Sequence, residues 1–376
     1  MRIAFIYDAA YPWITGGAEM RVYELAKRLS THGHDVHWYT MGWWWDDQNK
    51  GDIIQEGIKY HGVCEPLPIY SKNRRSIKEA IYFSLKLLKP LMREHYDVVD
   101  CQGFPFFSSF IAWFHSLSGR SNLVITVLEV WGNYWYEYLG VVGFFGRVIE
   151  FLTLHLTNNL ISISPKTKRD LQKVRKVNNI QIIPPGINRP EIIATPAASP
   201  IYNTIFAGRL IKEKRVDLLL AALEQIEDYE INCLIVGEGP EKESLEKFVI
   251  EHDLEKKVTF HKFMTHQESL ISSMKGAKVL VLPSKREGFG MVVVEANACG
   301  IPVVITKGRM NAACDLIENG VNGFIAEPHS ADMAKKIILA LRNGDSMKDQ
   351  CLKKSEEYDW DHLTILLEKY YQEIVL

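Results

Sequence analysis

Short apolar runs alternate along the chain with longer segments whose apolar residues recur at helical spacing. Runs of about five residues, such as Ile3 to Tyr7 and Val279 to Pro283, are typical of parallel strands that are buried on both faces. Between such runs, segments like Val22 to Leu29 have the apolar spacing of an amphipathic helix. This alternation of strands and helices predicts an α/β fold built on parallel sheets.

The segment from Ser284 to Thr306 shows this order most clearly. After a buried strand come a loop with Gly288 and Gly290, a helix-like run from Met291 to Ala298, and a stop at Gly300 before the next strand. Ligands of open parallel sheets bind at the carboxyl ends of the strands, where this loop lies. A helix N-terminus offers unpaired N–H groups and glycines let the backbone come close, so the loop suits a phosphate.

Two carboxylates flank this loop. Glu287 precedes the helix, and Glu295 lies eight positions further on, in its second turn. A carboxylate beside an anion site cannot hold the anion, but it can accept paired hydrogen bonds from the vicinal hydroxyls of sugars and riboses. The pattern therefore predicts a site for a sugar–diphosphate–ribose ligand. The alternative is an ordinary strand–helix corner whose acids face solvent.

The segment Glu287-Gly288-Phe289-Gly290, followed by Glu295, resembles the signature of the family-4 retaining glycosyltransferases of GT-B fold. The resemblance extends over nearly the whole chain. It implies two Rossmann-like domains that face a central cleft, with the donor on the C-terminal domain and the acceptor on the N-terminal one. It also implies that Glu287 binds the sugar hydroxyls, that Glu295 binds the ribose, and that Gly288, Phe289 and Gly290 bind the donor through backbone N–H groups.

Two cations are expected near the same edge of the sheet. Gly208 and Arg209 follow a predicted strand, and Lys214 stands just before the next helix. The family resemblance assigns Arg209 and Lys214 to the donor diphosphate. The chemistry agrees, because fixed cations stabilise the charge that develops on a departing nucleoside diphosphate. The alternative is a pair of solvated surface charges.

The resemblance adds two weaker assignments to the donor site. Lys262 and Phe263 lie at a strand exit that is similar to the segment through which relatives hold the nucleobase. Gly16 and Gly17 are similar to the N-domain glycine loop that borders the cleft near the donor phosphates, although a plain turn is an equal interpretation. Specificity for one base cannot be predicted from such backbone contacts.

At 376 residues, the chain is long enough for two domains. Pro184 to Asn188 resembles the interdomain junction of the family, and Pro196 and Pro200 favour a linker. We therefore predict an acceptor-side domain at 1–188, a linker at 189–200, and a nucleotide-sugar-binding domain at 201–358. The resemblance implies that a helix within 359–376 packs back on the first domain.

Composition narrows the partners and the compartment. The net charge of −2 gives no general attraction to nucleic acid, so no nucleic-acid partner is expected. The six cysteines are scattered, which favours free thiols in a reducing cytoplasm. The first apolar run is stopped by Asp8 and is interpreted as a strand, not a signal peptide.

Three local features give separate expectations. Trp43-Trp44-Trp45, with nearby basic residues, forms one hypothesis for a membrane-surface or acceptor-binding lip, and thus for peripheral contact with the inner face of a membrane; those residues are Lys72, Arg74, Arg75 and Lys78. An apolar helix from about Val141 to Thr157 is expected in the core. Leu128 stands where many relatives have a histidine near the transferred sugar, which leaves that role to Glu129 or a neighbour.

No metal or other cofactor is expected, since the nucleotide sugar is itself a substrate. The histidines at 32, 34 and 37 straddle a helix end and a strand start, so they are not placed to converge on one ion. Asp359-Trp360-Asp361 precedes an amphipathic helix, where helix capping explains the acids better than metal binding.

These features together predict an enzyme that moves a sugar from a UDP- or GDP-sugar to a glycan or lipid-linked acceptor. The resemblance implies retention of configuration through a front-face route, with Arg209, Lys214 and Glu287 as the catalytic group. Two alternatives are a nucleotide-sugar epimerase and a non-catalytic nucleotide-sugar-binding protein on the same fold. Epimerases of this fold lack the paired glutamates in this setting, and the missing histidine prompts the second alternative.

Overall fold

The computed structural model of the chain describes residues 1–71, 74–177, 179–199, 201–227, 230–262 and 267–376. The chain divides into two compact units. The N-terminal unit contains Met1–Pro185 and also Trp360–Leu376, and the central unit contains Gly186–Asp359.

An eight-stranded sheet forms the middle of the N-terminal unit, with strand order β10-β9-β8-β7-β1-β2-β4-β3. All neighbours are parallel except β3 and β4, which form an antiparallel pair at one edge. A separate antiparallel hairpin consists of β5 and β6. The strands are β1 (Arg2–Ile6), β2 (Asp35–Thr40), β3 (Ile53–Gln55), β4 (Ile58–Gly62), β5 (Tyr70–Ser71), β6 (Arg74–Arg75), β7 (Val98–Gln102), β8 (Asn122–Val127), β9 (Leu160–Ser162) and β10 (Ile180–Ile182).

Helices cover both faces of this sheet, so alternate residues of β1 enter two different cores. Ile3 and Phe5 pack with residues of α1 and α13, whereas Ala4 and Ile6 pack with residues of α2 and α3. The helices of the unit are α1 (Gly17–Thr31), α2 (Ile77–Leu91), α3 (Phe107–Leu117), α4 (Tyr134–Leu139), α5 (Gly143–Thr153), α6 (Pro165–Val174) and α13 (Trp360–Val375).

The last helix of the chain is fixed to the N-terminal unit by a buried polar network. The Tyr371 hydroxyl donates to the Asp100 carboxylate at 2.6 Å, and Thr126 donates to the same carboxylate at 2.8 Å. The buried guanidinium of Arg21 donates to the Ile183 carbonyl at 3.0 Å. Helix α13 therefore rests on the face of the sheet that α1 also covers.

The central unit has a six-stranded, fully parallel sheet with strand order β13-β12-β11-β14-β16-β18. Its strands are β11 (Tyr202–Ala207), β12 (Cys233–Val236), β13 (Val258–His261), β14 (Ala277–Leu282), β16 (Val303–Thr306) and β18 (Gly323–Ala326). Two further short strands, β15 (Arg286–Glu287) and β17 (Met310–Asn311), pair with each other outside this sheet. The helices are α7 (Arg189–Ala194), α8 (Val216–Glu224), α9 (Lys242–Glu251), α10 (Gln267–Lys275), α11 (Met291–Ala298) and α12 (Ser330–Ser355).

The structure corrects three details of the sequence interpretation. The stretch 189–200 is not a plain linker, because α7 occupies Arg189–Ala194. The hairpin of β3 and β4 was not predicted. The expected core helix from Val141 to Thr157 is wrong on both counts, because α5 is shorter and leaves much of its apolar face in solvent.

Across the described ranges, none of the helices combines the length and the apolar character that crossing a bilayer would require.

Candidate functional site

The candidate site lies where the strand order of the central sheet reverses. Strands β11 and β14 are neighbours, with Thr204 opposite Val279, and the later strands extend outward from this pair in both directions. Open parallel sheets bind ligands outside the carboxyl ends of strands at such a reversal. The loops that leave β11 and β14 carry the predicted residues Arg209, Lys214 and Glu287.

Lys214 and Glu287 form a direct ion pair. The Lys214 ammonium donates to the Glu287 carboxylate at 2.6 Å, and the two side chains are only 18% and 10% exposed. A backbone hydrogen bond from the Lys285 N–H to the Glu213 carbonyl, at 2.8 Å, joins the same two loops. The structure therefore brings together the cation and the acid that the sequence assigned to neighbouring parts of the ligand.

The backbone that carries Glu287 is fixed by Asn311. Glu287 pairs with Asn311 across β15 and β17. The buried Asn311 amide donates to the Ser284 carbonyl at 3.1 Å and to the Thr306 carbonyl at 2.8 Å, so it links the exits of β14 and β16. Asn311 was missed from the sequence because no motif marks it.

The glycine loop is shaped by Gly290, whose φ of +103° lies in the left-handed region. A β-carbon there would come within 2.8 Å of the Ala313 β-carbon. Helix α11 begins directly afterwards at Met291, so the free N–H groups of its first turn lie at this loop. The Phe289 ring is buried and packs 5.7 Å from the Tyr358 ring, which leaves only the backbone of Phe289 for a ligand.

Glu295 lies in α11 and is buried, with 8% of the residue exposed. Burial, followed by the charge of Glu295, raises the pKa of the neighbouring Cys299 thiol to about 12. Neither Glu287 nor Glu295 is a solvent-facing acid, so the corner with exposed carboxylates does not describe this chain.

Arg209 is exposed beside a tightly packed glycine corner. Gly208 donates its N–H to the Val236 carbonyl at 3.0 Å, and Leu210 donates to the Glu238 carbonyl at 2.8 Å. A β-carbon at Gly237 would collide with the Gly208 carbonyl. The glycines after β12 therefore serve close packing of two loops, which fixes the backbone on both sides of Arg209.

The other predicted donor residues lie apart from this group. Lys262 is exposed just after β13, at the edge of the central sheet, and Phe263 lies outside the described residues. Gly16 and Gly17 belong to the N-terminal unit, at the start of α1, where a β-carbon on Gly16 would collide with the Glu19 carboxylate.

The N-terminal unit contains a buried charge cluster that the sequence did not reveal. Arg75 pairs with the buried Asp8, which follows β1, and lies 3.7 Å from the buried Glu79. One guanidinium thus faces two carboxylates. Burial, followed by the Asp8 charge, raises the pKa of Glu79 to about 9, so Glu79 keeps its proton at neutral pH.

The exit of β8 is occupied by acids and aromatic rings. The Glu129 carboxylate accepts from the Trp131 indole at 2.8 Å, and the buried Glu150 accepts from the backbone N–H groups of Trp131 and Gly132 at 2.7 and 2.9 Å. The replacement of the usual histidine by Leu128 thus leaves Glu129 as a carboxylate at this strand exit.

The predicted tryptophan lip is wrong. Trp43 and Trp44 pack against the core, and the three indole N–H groups donate to the carbonyls of Asp8 and Gly51. Of the basic residues in that hypothesis, Arg75 is buried, Arg74 and Lys78 are exposed, and Lys72 lies outside the described residues.

The histidines that the sequence kept apart have separate partners. His32 and His34 contact Glu368, whereas His37 contacts His61 at 2.7 Å. No group of three or more possible metal ligands occurs among the residues that the structure describes.

Two family models match the chain. Residues 15–190 match the glycosyltransferase family 4 model, and residues 195–357 match the model of glycosyl transferases group 1. An uncharacterized glycosyltransferase of Methanocaldococcus jannaschii is 26% identical over 97% of this chain and 96% of its own length. A human relative, which belongs to phosphatidylinositol N-acetylglucosaminyltransferase, is 23% identical over 99% of this chain and 76% of its own.

A crystal structure of Anabaena HepE in complex with UDP superposes with a TM-score of 0.76. It covers 99% of this chain and 100% of HepE at 18% identity, and other structures of HepE contain UDP with glucose or UDP-glucose. At this identity the likeness concerns the fold.

Proposed function

The chain belongs to glycosyltransferase family 4 and has the GT-B fold, and we propose that it is a retaining, metal-independent hexosyltransferase. The proposed donor is a UDP- or GDP-sugar, and the proposed acceptor is a glycan or a lipid-linked glycan. Support for the donor comes from the UDP and UDP-glucose in the HepE structures. Support for a lipid acceptor comes from the name of the human relative.

The observation that carries this proposal is the Lys214–Glu287 pair beside the start of α11. An ammonium group has three N–H donors, so Lys214 can hold Glu287 with one and donate to a diphosphate oxygen with another. The second oxygen of Glu287 then accepts from a sugar hydroxyl. One ion pair thus fixes the position of the donor sugar relative to its diphosphate.

In the proposed reaction, Arg209, Lys214 and the N–H groups of Gly288 to Gly290 stabilise the leaving nucleoside diphosphate. The acceptor oxygen bonds to the anomeric carbon on the face from which the phosphate oxygen departs. The electron pair of the broken bond leaves with the phosphate, which also receives the acceptor's hydroxyl proton. Because fixed cations neutralise the diphosphate, the proposed step uses no divalent ion.

Glu295 is proposed to accept hydrogen bonds from the two ribose hydroxyls. Its burial makes such hydrogen bonds strong, since little water competes with them. Gly16, Gly17, Gly208, Lys262 and Phe263 remain proposed donor contacts.

The test is a thermal-shift panel of UDP-, GDP- and ADP-sugars, followed by product analysis with the stabilising donor. The expected result is stabilisation by one nucleotide class, and transfer with retained anomeric configuration to a glycan or lipid-linked acceptor in the presence of EDTA. Formation of an epimer from the donor alone would instead favour an epimerase. Loss of turnover with EDTA would overturn metal independence.

A further inference from the structure

Helix α5 of the N-terminal unit leaves a large apolar face in solvent. Phe144, Phe145, Phe151 and Leu152 are between 47% and 66% exposed, and Val141, just before the helix, is 90% exposed. The sequence predicted this segment in the core because of its composition. Exposed apolar patches of this kind mark surfaces that bind another molecule or a membrane.

Helix α2 has a second exposed apolar stripe. Ile77, Ile81, Leu85 and Leu88 recur at helical spacing and are 37–67% exposed, on the side opposite to the buried Phe83 and Leu87. Helix α3, which packs against α2, exposes Trp113, Phe114 and Leu117. Each of the three helices therefore presents apolar side chains both to the core and to the solvent.

The exposed charges on these helices have one sign. Lys78, Lys86 and Lys89 on α2 and Arg147 on α5 are exposed, and α3 contains no Asp, Glu, Lys or Arg. The acidic residues of the three helices are Glu79 and Glu150, and both are buried. The chain as a whole has a net charge of −2, so this positive surface is a local property.

Contacts between rings and side chains connect the helices. The Trp135 ring of α4 lies 5.9 Å from the Phe106 ring, immediately before α3. The Tyr138 hydroxyl of α4 accepts from the Arg75 N–H, just before α2, at 3.1 Å. Helix α4 also packs against α5. The exposed faces of α2, α3 and α5 thus belong to one connected group of helices, which we call the basic apolar face.

We propose that the basic apolar face docks the enzyme on the surface of a membrane that contains anionic lipids. Apolar side chains enter the boundary between head groups and acyl chains, while lysine and arginine side chains remain at the anionic head groups. A second copy of the chain fits this face poorly, because a two-fold interface would place the same positive charges opposite one another. The proposal is independent of the donor and can be tested without it.

The test is co-sedimentation with vesicles of phosphatidylcholine alone and of phosphatidylcholine mixed with phosphatidylglycerol. The wild-type protein is expected to bind mainly the mixed vesicles. Lys86→Glu is expected to lower the partition coefficient about tenfold, because it reverses one charge at the anionic surface. Phe145→Ser is expected to lower binding several-fold, because it removes an inserted ring.

Matched controls lie on the central unit. Lys256→Glu and Ile250→Ser, both at exposed positions, are expected to bind like the wild type. Each variant is first checked for an unchanged melting temperature. A wild-type protein that stays in the supernatant with both kinds of vesicle would overturn the proposal. A lipid-free dimer that Phe145→Ser dissociates would overturn it too, and would assign the face to self-association.

Discussion

The ammonium group of Lys214 and the carboxylate of Glu287 lie 2.6 Å apart, although 73 residues separate them in the chain. The parallel pairing of β11 with β14 brings their two loops together. Both side chains are largely shielded from solvent, so their hydrogen bond has a defined direction. The pair gives the site a fixed cation whose remaining N–H donors are available to an anion.

Replacing Lys214 with alanine is expected to lower kcat at saturating donor by about 10²–10³-fold, because a fixed donor to the developing charge is lost. The affinity for the intact donor should change much less. Steady-state kinetics with the donor from the thermal-shift panel measure both effects. The matched control is Lys212→Ala, which removes an exposed lysine two positions away. Unchanged turnover in Lys214→Ala would exclude this lysine from stabilising the leaving group.

Glu295→Gln is expected to weaken binding of the nucleoside diphosphate about 10- to 100-fold, since a charged hydrogen-bond acceptor is lost. A nucleotide without its two ribose hydroxyls provides the decisive comparison. The wild type should bind this dideoxy nucleotide much more weakly than the normal one, whereas Glu295→Gln should bind the two almost equally. Calorimetric titration measures all four affinities. Equal discrimination by both proteins would remove Glu295 from the ribose site.

The local order of the sequence was sufficient to predict α11. Its bounds, Met291–Ala298, agree with the prediction because glycine loops mark both ends and the helix joins two buried strands. The GT-B fold followed from the same segment by resemblance. In contrast, the Lys214–Glu287 contact depends on which strands are neighbours in the sheet, and the sequence pattern contains no direct signal for that order.

The failures of prediction have a common physical origin. Apolar composition placed α5 in the core, but composition does not distinguish a face that meets protein from a face that meets solvent or lipid. The charge cluster around Arg75 was missed because Asp8 and Glu79 are distant in sequence. The hairpin of β3 and β4 was missed because its strands are short and one is half polar.

Gly290→Ala is expected to lower the stability of the central unit by about 1–3 kcal/mol, since a residue with a β-carbon is strained at this φ. Crowding against Ala313 adds to the cost. The control is Gly344→Ala inside α12, where a β-carbon meets only ordinary contacts and should stabilise the helix by roughly 0.5–1 kcal/mol. Urea unfolding measures both changes. Equal midpoints for the two variants would contradict the assigned loop conformation.

Tyr371→Phe is expected to destabilise the N-terminal unit by about 1–3 kcal/mol, because the buried Asp100 carboxylate loses a hydrogen bond of 2.6 Å. The neighbouring Tyr370 is also buried but does not share this contact, so Tyr370→Phe should cost less. Thermal unfolding monitored by tryptophan fluorescence compares the two variants. A larger loss in Tyr370→Phe would show that α13 is not fixed through Asp100.

The buried Glu79 predicts a pH dependence of stability. Its pKa rises from an ordinary 4.5 to about 9 on folding, because burial and the Asp8 charge disfavour its ionised form. Between these values the unfolded chain releases a proton that the folded chain keeps, so rising pH favours unfolding.

Glu79→Gln, which keeps the shape of the protonated side chain, should therefore gain stability relative to the wild type as the pH rises. The expected difference grows by at least about 1 kcal/mol between pH 5 and pH 8, since each unit of pKa shift corresponds to that order of free energy. Urea unfolding of both proteins across this range measures the difference, and other titrating groups cancel because the two proteins share them. The control is Glu65→Gln, at an exposed carboxylate, whose difference from the wild type should stay nearly constant with pH. If Glu79→Gln instead loses stability relative to the wild type as the pH rises, Glu79 is ionised in the folded protein and balances Arg75 together with Asp8.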